Sequence, residues 1–418
     1  MSVLFISLKM SMNETRSPTS IFQFPTEIFH LIFDYLDPRT IFQSIAPVCE
    51  YFDEKVNSYN RLKLRLYAIR QSQWKFLGQR IPPSNVRYIS LSVNDKVNPS
   101  NVNLFFSLFE FDRFVRLKSL ELIQIDESQL DEFFQHIVQY QLKSLSIILS
   151  SNQIDQIHQI IKQISFMIEQ NGLESLYLTT FKRNVLSKTL LEPIEIILKR
   201  LNITDCTCEE YHLILSSCVN LKTLLIDNLI CSRELERTFL PLAWSVYPRL
   251  TSLTLKSSSS EFDQLFSILS FTPSLVYLQL NIKRCQSPDI LSGHAWKKFI
   301  EDRLSHLKVF RFFFTYQIQS HCNVPSLRSI VNSFESPFWI NEKHWIIVCD
   351  YVLKSSEINL YMRALPIHDN EIVIRSPSST DHYRLIRRKQ INLCESFSDE
   401  QVREFIYEIF LFHSFRFS

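Results

Sequence analysis

Cys206-x-Cys208, followed by His212 and Cys218 with Cys231 beyond, is the place where this chain gathers soft metal ligands. Zinc requires four such groups at narrow spacings, and this set matches none of the common patterns. Cys206 falls on a turn of a repeating pattern and Cys218 in the helix after it, so no metal is expected. Serine, histidine and aspartate are present, but no nucleophile elbow of the Gly-x-Ser-x-Gly kind occurs. Isolated histidines such as His344 read as packing groups, because a catalytic base needs an oriented partner. The chain of 418 residues holds three glycines, Gly78, Gly172 and Gly293. A dinucleotide fingerprint or a phosphate loop needs several clustered glycines to bring backbone against phosphate. No catalytic constellation and no cofactor are therefore expected.

Bulk composition narrows the partners. Lys and Arg number 45 against 43 Asp and Glu, a formal charge of +2. Such a balance gives no electrostatic ground for a nucleic-acid or membrane partner. Apolar residues form 45% of the chain, ample for a large core. The nine cysteines are sparse and irregular, unlike the even framework of a small secreted domain. MSVLFISLKM at the start has no basic residue before its short apolar run, unlike a signal peptide. No run reaches the ~18 apolar residues of a membrane span. The sequons Asn13-Glu14-Thr15 and Asn202-Ile203-Thr204 then read as chance matches, and the expected location is cytoplasmic or nuclear. Arg384, Arg387, Arg388 and Lys389 read as a solvated basic face.

The first organised segment is FQFPTEIFHLIFDYLDPRTIFQSIAPVCEYFDEKV. Pro25 suits a helix start and Glu27 complements the helix dipole there. Ile28, Leu31, Ile32, Tyr35 and Leu36 follow the helical stripe, while Phe29 and Phe33 make a second apolar face. Asp37-Pro38 ends the helix, and Pro47 opens another that carries Val48, Cys49 and Phe52. A helix apolar on two faces must be covered on two sides. One face can close the local core; the other calls for a second protein or for the rest of this chain to cover it.

Phe24-Pro25-x-Glu27-Ile28, Ile32-Phe33-x-Tyr35-Leu36 and Val48-Cys49-x-x-Phe52 together resemble the F-box. That family reads Leu-Pro-x-Glu-Ile, Ile-Phe-x-Tyr-Leu, and Val-Cys-(Lys/Arg) followed by an aromatic residue. Phe24 stands in place of the leucine, and Glu50 in place of the basic residue. The resemblance implies a small three-helix unit binding the Skp-type adaptor of a cullin–RING ubiquitin ligase. Phe24, Pro25, Glu27, Ile28, Ile32, Phe33, Leu36, Val48, Cys49 and Phe52 would make that contact. It implies no catalysis in this chain.

An apolar-x-x-apolar-x-apolar pattern then recurs at Val86, Leu117, Leu142, Leu173, Leu198, Leu221, Leu250, Leu275 and Leu307. Spacings run from 23 to 32 residues, near those of leucine-rich repeats, which this region resembles. Helical patterns fall between: isoleucines from Ile154 to Ile168 ahead of Gly172, a capping box Thr207-x-x-Glu210, and the stripe Phe262, Leu265, Phe266, Leu269. The Asn or Cys of the repeat turn is matched by Cys206 alone; Ile125, Ser150, Phe181 and Lys283 hold the position elsewhere. The turns must then be stabilised in another way.

Strand alternation places Tyr177, Arg200, Asn202, Asp227, Lys256, Tyr277, Gln279, Arg311 and Phe313 on the concave surface, where a protein target would bind. Glu121 faces the same way. Residues 345–348, 358–362 and 371–374 read as strands, and Ser398-x-x-Gln401 caps a last helix through Val402, Phe405, Ile406, Ile409 and Phe410. The expected fold is α/β: an N-terminal tail over 1–19, an all-α F-box over 20–66, a linker over 67–84, an irregular solenoid of parallel strands and outer helices over 85–333, and a capping region over 334–418. The expected function is target recognition within a Skp–cullin–F-box ligase, with an interaction scaffold uncoupled from ubiquitination as the alternative.

Overall fold

The computed structural model describes residues 21, 24–66, 71–92, 101–125, 127–137, 141–149, 163–169, 172–179, 198–230, 247–257, 262–285, 288–318, 327–354, 357–366 and 384–385. The tail over 1–19, the strand at 371–374, the final helix and most of the isoleucine pattern lie outside them. The chain divides into two units, at Ile123 and Gln124.

In the first unit, α1 (Thr26–Phe33) and α2 (Glu50–Ser58) are joined by short turns. Asp37 caps the first turn by accepting from the Thr40 amide at 2.9 Å. Phe29 and Phe33 turn inward with Ile41, Phe42, Val56 and Tyr59, all buried. Phe29 meets Tyr51 and Phe52 edge-on, and Phe33 meets Tyr59 the same way. The chain then enters β1 (Leu62–Leu66), which pairs in parallel with β2 (Val86–Ser92), itself parallel to β3 (Ser119–Ile125).

Two parts of this unit differ from the sequence reading. Strand β1 falls inside the segment assigned to the helical unit. Its leucines alternate and buried Tyr59 stands three residues before Leu62, in the place of the leading apolar residue of the repeat, so it was legible as a strand. The stretch assigned as a linker holds α3 (Gln71–Arg80). Its Trp74 and Leu77 are buried, and Trp74 meets Phe105 of α4 (Asn101–Leu108) in a cluster with Phe109, Phe111 and Phe114. The aromatic surface buried there makes this stretch part of the core.

The second unit carries seven parallel strands in sequence order: β4 (Ser144–Leu149), β5 (Ser175–Thr179), β6 (Arg200–Thr207), β7 (Thr223–Ile230), β8 (Ser252–Ser257), β9 (Tyr277–Cys285) and β10 (Val309–Ile318). Between them lie α5 (Glu127–Ile137), the helical stretch 163–169, α6 (Cys208–Ser217), α7 (Phe262–Ser270) and α8 (Gly293–Arg303). Every repeat motif read from the sequence is a strand. Its three consensus apolar residues are buried, as in Leu221, Leu224 and Ile226. Full burial of three such side chains contributes roughly 5–9 kcal/mol per repeat before chain entropy is set against it.

Backbone hydrogen bonds hold the repeat joints, and the series Lys143, Glu174 and Lys199 adds side-chain ion pairs that link three successive repeats. From the motif at Leu142 to that at Leu275, the carbonyl one residue after the leading apolar residue accepts two amides of the next repeat. Glu174 O takes Lys199 N at 2.8 Å and Arg200 N at 3.0 Å; Lys222 O takes Thr251 N and Ser252 N at 3.0 Å. At the ladder position Ile125, Cys206 and Leu229 are buried; the Cys206 thiol donates to Thr207 O at 3.3 Å and the buried Ser257 hydroxyl to Leu229 O at 2.8 Å. Gly172 adopts φ +66°, the left-handed turn its place suggested. The capping box is complete: Thr207 N–H donates to Glu210 Oε2 at 2.7 Å and Glu210 N–H to Thr207 Oγ1 at 3.2 Å.

The parallel series ends on a reversal. β12 (Glu357–Pro366) lies antiparallel between β10 and β11 (Trp345–Lys354), and β13 (Arg384–Leu385) pairs with β11. The edge of β10 is thereby covered, which removes an exposed template for mispairing. Trp296, Phe310, Phe312, Phe314, Phe334, Trp339 and Trp345 form a buried aromatic core at this end. Gly293 fits there because a Cβ would clash with the Ser333 carbonyl oxygen.

Candidate protein-interaction surfaces

Helix α1 presents its second face outward. Ile28 keeps 39% of its surface exposed, Leu31 51%, Ile32 41% and Tyr35, just past the helix, 90%. Phe24 and Ile21 precede them, and Val48, at 64%, continues the exposed apolar set from the turn before α2. Single exposed apolar residues are ordinary, but seven within 28 residues of chain call for a cover. Pro25 and Glu27 are exposed beside them, whereas Leu36, Cys49 and Phe52 are half-buried.

Phe33 is corrected. It is 2% exposed and packs against Tyr59 at 5.5 Å between ring centroids, so it supports this surface from below. Leu31 and Tyr35 belong to the surface in its place. The helical stripe contains both, and Tyr35 is also a position of the resembled motif.

Asp34 fixes α1 to the start of the sheet. It accepts from the Tyr59 hydroxyl at 2.7 Å and pairs with Arg61 at 3.2 Å. Burial, with that hydrogen bond added, holds the Tyr59 hydroxyl well above the usual phenol range. In the same unit Glu121 accepts from Tyr88 and, at 2.6 Å, from Ser90. Burial and Glu121 together raise the Tyr88 hydroxyl likewise.

The second surface is the half-exposed face of β5–β10. Strand register lines Tyr177, Asn202, Leu225, Thr254, Gln279 and Arg311 into one continuous row. Arg200, Thr223, Ser252 and Tyr277 form the row before it, and Lys256, Asn281 and Phe313 the row after. Asp227 joins the last through an ion pair to Lys256 at 2.6 Å. All nine predicted target-binding residues thus share one face of one sheet. Hydroxyl and amide groups dominate it, with few charges, the balance of a protein-contact surface rather than a phosphate-binding one.

Chemistry elsewhere is sparse. Among the described residues no group of three or more His, Cys, Asp or Glu is placed to hold a metal. Cys206 and Cys218 are buried, and burial pushes the Cys218 thiol up to about 12, which suits packing and not ligation. His212 sits edge-on to Phe271 at 4.4 Å, its basicity lowered by burial. No helix among the described residues is long and apolar enough to cross a membrane. No protein-family model and no curated protein matches the chain, so the F-box and repeat resemblances rest on the residues themselves.

Proposed function

We propose that this chain is a substrate-recognition subunit of a Skp–cullin–F-box type ubiquitin ligase. The N-terminal surface of Phe24, Ile28, Leu31, Ile32, Tyr35 and Val48 docks on the Skp-type adaptor, and the face of β5–β10 holds a protein target. The ligase core supplies the ubiquitin chemistry. This chain contributes proximity, raising the effective concentration of a target lysine beside the charged enzyme. The observation that carries the reading is the two-sided α1: Phe29 and Phe33 close the core while Ile28, Leu31 and Ile32 stay exposed.

Glu50 favours a second reading, an interaction scaffold uncoupled from ubiquitination. It is exposed in the first turn of α2, where the resembled motif carries a basic residue. Co-expression with a Skp-type adaptor and cullin separates the two. The receptor reading predicts co-purification of wild type and its loss in a folded Ile28→Asp, Ile32→Asp variant. A wild type that purifies without the adaptor leaves the scaffold.

A further inference from the structure

Gln279 and Arg311 stand directly opposite each other on β9 and β10, with Tyr277 two residues away on the same face. The Tyr277 hydroxyl donates to Gln279 Oε1 at 2.6 Å. That bond engages the amide's acceptor and fixes which of its ends is the NH2 donor. The Arg311 guanidinium lies over the Tyr277 ring, 5.8 Å from its centroid, so ring and guanidinium orient each other. Among the described residues no carboxylate pairs with Arg311. Lys256 on the same face is already neutralised by Asp227. Phe313, two residues beyond Arg311, adds an apolar neighbour that lowers the local dielectric and strengthens a polar contact made there.

We propose that Arg311 and Gln279, oriented by Tyr277, recognise one carboxylate of the bound protein; this rests on the reading that the face holds a protein target. The donors are planar and forked, and the cluster carries one unpaired positive charge. That combination matches the flat monoanion of a carboxylate. A phosphate, near two negative charges and with three acceptor oxygens, needs a second cation; the register sets Arg363 of β12 opposite Phe313, so a phosphoserine peptide is the competing ligand in the test. Two sources carry the group: an Asp or Glu side chain within a segment, or the carboxyl terminus of a chain.

Two random-peptide libraries distinguish them, one displayed internally and one with free C-termini, each selected on the full chain and counter-selected on its Arg311→Gln variant. Enrichment of Asp or Glu at one position of the internal library assigns the side chain; enrichment only with free C-termini assigns the chain end. Synthetic versions of the selected peptides, with that carboxylate changed to its amide, are expected to bind roughly ten- to hundredfold more weakly to wild type. Arg311→Gln is expected to abolish this discrimination, and Arg311→Lys to retain part of it, keeping charge but losing the fork. The proposal is overturned if nothing is enriched, if enriched peptides share no carboxylate, or if Arg311→Gln binds them as wild type does. It is also overturned if a phosphoserine at the selected position binds tighter than the carboxylate. Adaptor binding by Arg311→Gln is read separately. Selected peptides with no adaptor binding would sink the ligase reading and leave the carboxylate site standing.

Discussion

Replacing Ile32 with aspartate and Phe33 with alanine separates the two faces of α1. Phe33 is 2% exposed and sits among Phe29, His30 and Tyr59. Its truncation leaves a cavity under the helix, at a cost of about 3–5 kcal/mol. For a unit of ordinary size that lowers the melting temperature by about ten degrees. Ile32 retains 41% exposure, so aspartate there gives up the burial of the remainder and is expected to cost about 1–2 kcal/mol, well short of Phe33→Ala. On the adaptor the order reverses. Covering the exposed part of Ile32 is worth ~1 kcal/mol, and an unpaired carboxylate in that contact adds ~2 kcal/mol or more. The sum weakens binding by about a hundredfold. Thermal denaturation and adaptor titration of the two variants make the comparison. If Ile32→Asp destabilises the fold as much as Phe33→Ala does, the outer face is covered by the chain itself and the docking argument fails.

Two further outcomes follow from the same geometry. Thr207→Ala removes a hydroxyl that satisfies the Glu210 amide at the start of α6 and is expected to cost about 0.5–2 kcal/mol, read by denaturant unfolding; no change would mean the box is ornamental. Tyr59 is held neutral by burial and by its bond to Asp34, its folded pKa raised above the unfolded value. Its contribution is therefore complete below about pH 10 and is lost as pH rises beyond. Tyr59→Phe should flatten the alkaline limb of a stability–pH curve, and an unchanged limb would contradict the assignment.

The repeat strands were legible because their apolar positions satisfy period two and three buried consensus positions at once, as Leu221, Leu224 and Ile226 do. β1 escaped because an aromatic residue, Tyr59, leads Leu62 and Leu64 where Val or Leu leads the other repeat strands. The backbone bonds across the repeat joints were not legible, since carbonyls such as Glu174 O and Lys222 O leave no mark on side-chain identity. Of the docking surface, the two-faced character of α1 was readable, but its sorting was not. Phe33 belongs to the motif and yet faces the core, because a run of apolar residues does not itself say which of them point outward. The inner face was readable residue by residue; the opposition of Gln279 and Arg311 required the register between strands.

Hydrogen–deuterium exchange of the full chain, with and without the Skp-type adaptor, tests the central claim most directly. The account predicts new protection confined to residues 24–36 and 46–52, with the strands of β5–β10 unchanged. Exchange that is identical with and without adaptor, or protection that appears only on those strands, would contradict it.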